Sequence, residues 1–402
     1  MNKVFIVAAK RTAVGSFLGT LKNVHPADLG AVLVKDVLSS NKLSGKEIDE
    51  VIIGNILSAG LGQGIGRQIA IKGGVDESIP AYSLNMLCGS GMKAVITAYT
   101  NIKVGLHNLV LAGGVESMSR APYLLNNDVR SGIKMGDVVA KDHMLVDALT
   151  DAFNNVHMGI TAENIAEKHH LTREEQDQFA LNSQHKAIAA VDADRFKDEI
   201  VPLTVKVGRD EVVFDKDEYP NRTTNLEKLA KLRPAFKKDG TVTAGNSSGI
   251  NDGASIILLA SEEAIKKYGL TPLAEIVGVG QGGVDPLLMG LGPVPATRNA
   301  LKAAKLSLKD IDLIELNEAF AAQSLGVVKE LSEEHGDTIE HIMSRTNVNG
   351  GAIALGHAVG NSGSRIIVTL VHEMAKRNAK LGLASLCIGG GMGTAVIVKR
   401  VS

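Results

Sequence analysis

Short apolar runs alternate along the chain with longer segments in which apolar residues recur at helical spacing. The runs are rich in β-branched residues and begin near positions 4, 50, 109, 256 and 312. They predict buried strands, because strands covered on both faces are apolar throughout. The helical spacing predicts helices over 26–38, 92–104, 173–191, 261–267, 296–304 and 363–377. Thr172 and Glu175 predict a capping box at the start of the third helix, and the alternation is typical of an α/β protein.

The two ends of the chain carry similar segments in the same order. Residues 47–52 resemble 310–315, each after a helical pattern and before a strand. A turn rich in glycine and serine leads into a helix at 88–93 and again at 360–365. A strand that ends in glycines then closes each set. The offset of roughly 260–275 residues predicts two duplicated halves.

The segment between the similar ends has a different character. Residues 119–249 are richer in charged and polar side chains, which predicts inserted helices and loops over one face of the sheets. We predict an N-terminal half at 1–118 and 250–271, an inserted loop domain at 119–249, and a C-terminal half at 272–402.

Composition narrows the possible classes of function. The 402 residues are enough for two or three domains, and 45% hydrophobic with 22% charged residues fits a globular protein. A net charge of −1 argues against nucleic-acid or membrane-surface binding. No apolar run approaches the roughly 20 residues of a membrane span. The two cysteines and the absence of a targeting pattern predict a reduced, cytoplasmic protein, and no cluster has metal-ligand spacing.

Cys88 stands in a glycine-rich turn just before a helical pattern. Free N–H groups at a helix N-terminus favour an anion, so we expect a thiol with a lowered pKa. The glycines after it leave the sulfur accessible and backbone N–H groups free to face an oxyanion. A small buried core cysteine is the weaker interpretation in this setting.

Three further residues could serve the same chemistry. His357 lies in a glycine-rich loop and could accept the thiol proton, although a structural loop histidine fits equally well. Cys387 precedes a glycine run and could take a proton from carbon and return it, but alone it is better interpreted as structural. Asn317 follows a predicted strand and could hold a water or a carbonyl oxygen, a signal of low specificity.

Taken together, these segments resemble the thiolase family nearly from end to end. The blocks that carry the resemblance stand in family order at 8–12, 85–91, 112–119, 157–159, 244–249, 317–320, 347–357 and 387–391. The resemblance implies a five-layer α-β-α-β-α sandwich of two duplicated halves with an inserted loop domain. It also implies cysteine-dependent acyl transfer that uses no cofactor, because CoA and acyl-CoA are substrates.

The resemblance implies a role for each candidate. Cys88 would attack the acyl carbonyl and hold the acyl group as a thioester. His357 would take the thiol proton and, with a water held by Asn317, bind the thioester oxygen of the second substrate. Cys387 would move the proton at carbon. The N–H groups of Cys88 and Gly389 would form an oxyanion hole.

A second set of residues would bind the substrate. Met158 and Met289 resemble residues that narrow the acyl pocket in the biosynthetic type, which condenses two acetyl-CoA to acetoacetyl-CoA and CoA. The pantetheine arm of CoA would pass near the 244–249 block. The full predicted set is His157, Met158, Arg222, Ala235, Phe236, Ala244, Ser248, Met289, Ala319 and Phe320.

Three positions depart from the family pattern. Ala358 follows His357 where proline is usual, which leaves the positioning of the imidazole open. Asn221 stands where an arginine often approaches the CoA nucleotide, so the neighbouring Arg222 is the remaining candidate. Residues 64–66 replace Asn-Pro-Ala in a loop expected to shape subunit contacts.

Several alternatives remain open. A broad-chain 3-ketoacyl-CoA thiolase of fatty-acid degradation would share the same residues. A condensing enzyme for acyl-carrier protein would pair the cysteine with two histidines, and a cysteine hydrolase needs no second thiol. A non-catalytic acyl-CoA-binding protein would lack Cys88, His357 or Cys387. The resemblance implies a homodimer or homotetramer, and no sequence pattern distinguishes the two.

Overall fold

The computed structural model describes residues 2–401. Its strands are β1 Val4–Arg11, β2 Gly15–Ser16, β3 Glu50–Gly54, β4 Ala81–Leu84, β5 Leu109–Ser117, β6 Tyr123–Leu125, β7 Ala140–Asp142, β8 Leu203–Val207, β9 Asp210–Phe214, β10 Asn251–Ser261, β11 Ala274–Gly283, β12 Leu313–Leu316, β13 Leu381–Ile388 and β14 Met392–Arg400. Its α-helices are α1 Pro26–Ser40, α2 Ile65–Gly73, α3 Ser90–Lys103, α4 Asp128–Ser131, α5 Met158–Lys168, α6 Arg173–Asp192, α7 Leu226–Ala230, α8 Glu262–Tyr268, α9 Pro293–Ala304, α10 Ala321–His335, α11 Ile339–Ser344, α12 Ala352–Leu355 and α13 Val359–Arg377. Short 3-10 turns lie at Met118–Arg120, Pro286–Leu291 and Leu308–Asp310, and a π-helical turn lies at Leu145–Leu149.

The six predicted helices are all present, as α1, α3, α6, α8, α9 and α13. Thr172 caps α6 with the reciprocal pair of hydrogen bonds to Glu175 that defines a capping box, which confirms that prediction. The five apolar runs form β1, β3, β5, β10 and β12. Helix α2 was not predicted, because two of its nine residues are glycine and its apolar pattern is short.

The main sheet consists of two half-sheets with the same topology. Its order is β12-β13-β14-β11-β1-β10-β5-β3-β4, and β11 joins β1 through only two residue pairs. In the first half, β1 pairs antiparallel with β10, and β5 pairs parallel with β3. In the second half, β11 pairs antiparallel with β14, and β13 pairs parallel with β12 in the same way. In the first half, β4 pairs parallel with the outer side of β3. In the second half, the equivalent place beside β12 is taken by a single parallel bridge between Ile314 and Thr346.

Two equivalent aspartates show the same duplication at the level of side chains. Asp49 accepts hydrogen bonds from the N–H groups of Asn108 and Leu109, at the start of β5, at 2.6 and 2.8 Å. Asp312 accepts the corresponding pair from the start of β13, at 2.7 and 2.9 Å. Both lie in the similar segments 47–52 and 310–315, so the predicted repeat is confirmed in the fold.

Alternate residues of each strand enter different layers of the core. Val51 and Ile53 pack with α1 and α2 on one face, whereas Ile52 packs with α3 and α13 on the other. In the second half, Ala384 faces α3 and α13, and Leu383 faces α9 and α10. The order is therefore helices, sheet, helices, sheet, helices, which confirms the predicted five-layer sandwich.

The central helices α3 and α13 approach each other closely at glycines. A Cβ on Gly363 would lie 2.6 Å from the backbone nitrogen of Met92, and one on Gly91 would lie 2.9 Å from that of Ser364. Both contacts fall within the first two turns of the helices. The two N-terminal ends are thus brought together in the middle of the molecule.

The segment 119–249 contributes no strand to the main sheet. It holds the ribbons β6–β7 and β8–β9 together with α4, α5, α6 and α7, so it contains short strands as well as the expected helices and loops. The exact domain boundaries stay a prediction. Along residues 2–401, no helix combines the length and the apolar character that a membrane crossing requires.

Candidate active site

A cavity of about 400 Å³ opens where the two half-sheets and the inserted segment meet. Most of the candidate residues contribute to its wall, namely Cys88, His157, Met158, Ala235, Phe236, Ala244, Ser248, Met289, Ala319, Phe320, His357, Cys387 and Gly389. Asn317 and Arg222 do not. The wall also contains residues that the sequence did not single out, among them Phe17, Leu149 and Tyr219.

The turn before α3 presents Cys88 to this cavity. Leu87 has a positive φ of 48°, which turns the chain sharply, and Gly89 then caps the helix. The Ser90 hydroxyl accepts a hydrogen bond from the N–H of Met86 at 2.8 Å and donates one to the carbonyl of Leu87 at 2.6 Å. These contacts hold the turn closed and leave the sulfur facing the cavity.

Burial, and not the helix terminus, dominates the acidity of Cys88. It raises the pKa of the thiol to about 11, although a hydrogen bond from the N–H of Gly389 lowers it in part. The expectation of a lowered pKa is therefore wrong. Cys88 lies two positions before the first residue of α3 and is only partly exposed, so the surrounding protein removes much of the solvent that would stabilise a thiolate. Cys88 rests as a neutral thiol.

His357 is buried and held in one tautomer. Its Nδ1 lies 2.6 Å from the hydroxyl of Ser362, and that hydroxyl donates to the carbonyl of Ala358 at 3.1 Å. Because the hydroxyl proton is used on Ala358, the Ser362 oxygen accepts from Nδ1–H, and Nε2 keeps a free lone pair. Burial, and then the charge of Arg365, lowers the pKa of His357 to about 4. The ring is a neutral proton acceptor at physiological pH.

The backbone around His357 is fixed from the other half of the fold. The N–H of His357 donates to the side-chain carbonyl of Asn251 at 2.9 Å. The next residue, Ala358, has a φ of −71°, which lies within the range that proline imposes. Alanine therefore adopts a backbone angle that proline would also allow at this position.

Cys387 lies one residue before the end of β13. The strand ends at Ile388, and Gly390 and Gly391 then turn the chain with φ values of 78° and 82°. The turn leaves the N–H of Gly389 directed at Cys88. Cys387 is only 1% exposed, and burial, followed by the nearby Cys88, raises the pKa of its thiol. Both cysteines are free thiols.

Asn317 lies behind the cavity wall. Its backbone N–H donates to the carbonyl of Ser385 on β13 at 3.0 Å. Its amide nitrogen and oxygen are buried and have no protein partner among residues 2–401. A buried primary amide of this kind is matched to a bound water or a polar ligand group.

Aromatic and sulfur-containing side chains line another wall of the cavity. His157 stacks on Phe236 with ring centroids 4.7 Å apart, and Phe236 meets Phe320 edge to face at 6.0 Å. Met158 and Met289 are buried in the same apolar cluster as Phe320 and Cys387. Ser248 is tied to this wall because its N–H donates to the carbonyl of Ala319 at 2.9 Å.

Arg222 lies outside the cavity, in a neighbouring groove. This groove of about 700 Å³ shares Tyr219 and Ala244 with the cavity. Its Arg222 is exposed and forms two hydrogen bonds to Asp192, at 2.6 and 3.0 Å. Lys228 contributes a second positive charge to the groove.

Comparisons with known proteins agree with this architecture. Sequence models described as "Thiolase, N-terminal domain" and "Thiolase, C-terminal domain" match residues 4–263 and 270–400. The chain is 52% identical to an acetyl-CoA acetyltransferase from Pseudomonas aeruginosa, with all of both chains covered. It is 44% identical to the structure of acetyl-CoA acetyltransferase from Syntrophomonas wolfei, with a TM-score of 0.96 over all of both chains. A structure of human mitochondrial 3-ketoacyl-CoA thiolase in complex with CoA is 47% identical with a TM-score of 0.93, covering 100% of this chain and 98% of that one. The chain belongs to the thiolase family.

Proposed function

We propose that this chain is an acetyl-CoA acetyltransferase that condenses two acetyl-CoA to acetoacetyl-CoA and CoA and catalyses the reverse thiolysis. The observation that carries the proposal is the meeting of Cys88, His357 and Cys387 in one cavity. The names of the full-length relatives support the same activity.

The first half of thiolysis uses Cys88 and His357. Nε2 of His357 takes the thiol proton as the Cys88 sulfur attacks the 3-oxo carbon. The N–H groups of Cys88 and Gly389 stabilise the oxyanion, which fits the hydrogen bond that Gly389 directs at the sulfur. The C2–C3 bond then breaks and leaves an acetyl group on Cys88.

Cys387 supplies the proton that the leaving carbon needs. The electron pair of the broken bond forms the enolate of acetyl-CoA, and the Cys387 thiol protonates it at carbon. The raised pKa of this thiol favours a protonated starting state. The protonated His357 and a water on Asn317 would bind the enolate oxygen, since the amide of Asn317 has free hydrogen-bonding capacity.

The second half returns every group to its starting state. The Cys387 thiolate takes the proton of an incoming CoA thiol, whose sulfur attacks the acetyl thioester. The Cys88–acyl bond breaks, and the Cys88 sulfur recovers its proton from His357. Acetyl-CoA leaves, and condensation is the same sequence in reverse. The chain needs no separate cofactor for this cycle, because CoA is itself a substrate.

The buried methionines favour short acyl groups over the broad-chain alternative. Met158 and Met289 are 7% and 3% exposed and pack on Phe320 beside Cys387. Pantetheine would run past Ser248 and Ala244 to the neighbouring groove. There the positive side chains of Arg222 and Lys228 would meet the CoA phosphates, provided that Arg222 exchanges Asp192 for the ligand.

We also propose a homo-oligomer in the cytoplasm. Strand β4 is an edge of the main sheet with partly exposed side chains, so its free backbone groups could pair with a second copy. The β6–β7 ribbon and the segment that joins its two strands expose several large apolar side chains, including Tyr123, Met135 and Val139. Light scattering of the purified chain distinguishes a dimer from a tetramer.

The decisive experiment measures CoA-dependent cleavage of 3-oxoacyl-CoA substrates of increasing chain length, with Cys88→Ala as the control. We expect rapid cleavage of acetoacetyl-CoA, a steep loss with chain length, and no activity in the variant. Equal activity on long chains would favour the degradative thiolase. No cleavage of any substrate by folded wild type would refute the catalytic proposal.

A further inference from the structure

The carboxylate of Glu116 connects the surroundings of Cys88 to the helix that follows His357. Glu116 is the second-last residue of β5 and is fully buried. Each of its oxygens accepts two hydrogen bonds. Oε1 accepts from the side chain of Asn55 at 2.9 Å and the N–H of Leu57 at 3.1 Å, and Oε2 accepts from the N–H groups of Ile56 and Gly360, both at 3.0 Å.

The bond to Gly360 supplies a cap that α13 otherwise lacks. The N-cap residue Ala358 has no side-chain acceptor, and Gly360 is the second residue of the helix. A carboxylate at this end satisfies a free N–H and complements the helix dipole. Contact is so close that a Cβ on Gly360 would lie 2.4 Å from Oε2. The carboxylate therefore fixes the chain three residues after His357.

The other bonds fix a loop that touches the nucleophile. Ile56 and Leu57 belong to an apolar cluster that also contains Val359, with Cys88 packed against it. Asn55 further donates to the carbonyl of Val115 at 3.1 Å, which joins the loop to β5. One side chain thus sets the loop beside Cys88 and the start of α13 beside His357.

We propose that Glu116 is a positioning residue that holds His357 in register with Cys88. Four donors and no acceptor surround its carboxyl group, so only the ionised form satisfies every contact. An amide in its place would direct an NH2 group at two donors whichever way it is flipped. The inference rests on the proposed function, because it concerns proton transfer from Cys88 to His357.

Glu116→Gln is the test, with Asp49→Asn as the matched control. Asp49 also accepts two backbone N–H groups from β5, but at the opposite end of the strand, away from the cavity. Because misplacement of a reacting group by about 1 Å can cost 100-fold, we expect kcat of Glu116→Gln to fall about 100-fold, with KM within about threefold. Asp49→Asn should stay within about twofold. Glu116→Asp, which keeps the negative charge, should have a kcat at least about tenfold higher than that of Glu116→Gln.

A second measurement separates this inference from the proposed function. The rate of Cys88 alkylation by iodoacetamide at pH 8 is compared in wild type, His357→Ala and Glu116→Gln. We expect wild type to react fastest and both variants to react equally slowly. If no 3-oxoacyl-CoA is cleaved, the proposed function fails while this rate still decides the role of Glu116.

Three results would overturn the inference. One is a folded Glu116→Gln with wild-type kcat, another is its alkylation at the wild-type rate, and the third is a wild type that alkylates no faster than His357→Ala. If Glu116→Gln does not fold, Gly360→Ala perturbs the same contact from the helix side. Wild-type kcat in that variant would also overturn the inference.

Discussion

Removing the Ser362 hydroxyl, which fixes the tautomer of His357, should lower the rate of catalysis while all the other residues of the site remain in place. In Ser362→Ala, Nδ1–H loses the acceptor that it meets at 2.6 Å and faces a methyl group. A buried donor left unsatisfied costs about 1–3 kcal/mol. That cost is relieved when the proton moves to Nε2, but the base then has no free lone pair directed at Cys88.

The size of the effect follows from this energy. Since 1.4 kcal/mol corresponds to a factor of ten, a penalty of about 1–3 kcal/mol lowers the active tautomer about 5- to 150-fold relative to the inactive one. We expect kcat/KM for acetoacetyl-CoA to fall about 10- to 100-fold. Ser362→Thr keeps the hydroxyl and should recover most of the activity.

Steady-state thiolysis of acetoacetyl-CoA measures this loss, and thermal unfolding checks that the variant is folded. Ser364→Ala is the matched control, because it removes another buried hydroxyl from α13, one that bonds Ser255 at 2.6 Å. It should lose about 1 kcal/mol of stability with kcat/KM within about threefold. Ser362→Ala with kcat/KM within twofold of wild type would refute the assigned tautomer.

Four further predictions concern the same cavity. Ala358→Pro should raise the free energy of unfolding by about 0.4–1 kcal/mol in urea titration and leave kcat unchanged, because φ already suits proline; a lower stability would contradict this. The acid limb of kcat/KM should lie below pH 5, since burial lowers the pKa of His357 to about 4; a limb near pH 6.5 would show an exposed imidazole. The stability that neutral His357 contributes is fully present above pH 6.5 and falls as the pH is lowered towards 4, by up to about 1.4 kcal/mol per pH unit. Urea titrations across this pH range should show that His357→Asn removes this slope. Met289→Ala should raise kcat/KM for longer 3-oxoacyl chains relative to acetoacetyl-CoA and cost about 2–5 kcal/mol of stability; an unchanged chain-length profile would show that Met289 does not limit the pocket.

Local patterns predicted the strands, the helices and the repeat, and the resemblance to the thiolase family implied most of the cavity wall, but contacts between distant segments lay beyond both. The strands were found because they are apolar on both faces, and the repeat was visible in short similar blocks. Asn251 and Glu116 bond the region of His357 across 106 and 244 positions, a distance that no periodicity connects. Ser362 lay just before the predicted start of its helix, so its bond to His357 had no sequence signal.

One expectation about charge, the lowered pKa of Cys88, failed, and the role of Arg222 in CoA binding stays a prediction. The predicted effect of the helix terminus on Cys88 is local, whereas the burial that opposes it comes from segments distant in sequence, among them Ile56 and Val359. Arg222 was predicted to contact the CoA nucleotide because it adjoins position 221, where the family often has an arginine. Its pairing with Asp192 depends on how the inserted segment folds, 30 positions away.

The symmetry of the two halves bears on how the chemistry evolved. Cys88 stands two positions before the first residue of α3, and His357 stands two positions before the first residue of α13, the equivalent helix. The proposed nucleophile and its base therefore lie at the same end of equivalent helices but at different positions of the repeat, because residues 88–93 correspond to 360–365. In a dimer of identical half-length chains, both helices would carry the same residues at that end. One chain with two unlike copies can place a thiol before one helix and an imidazole before the other.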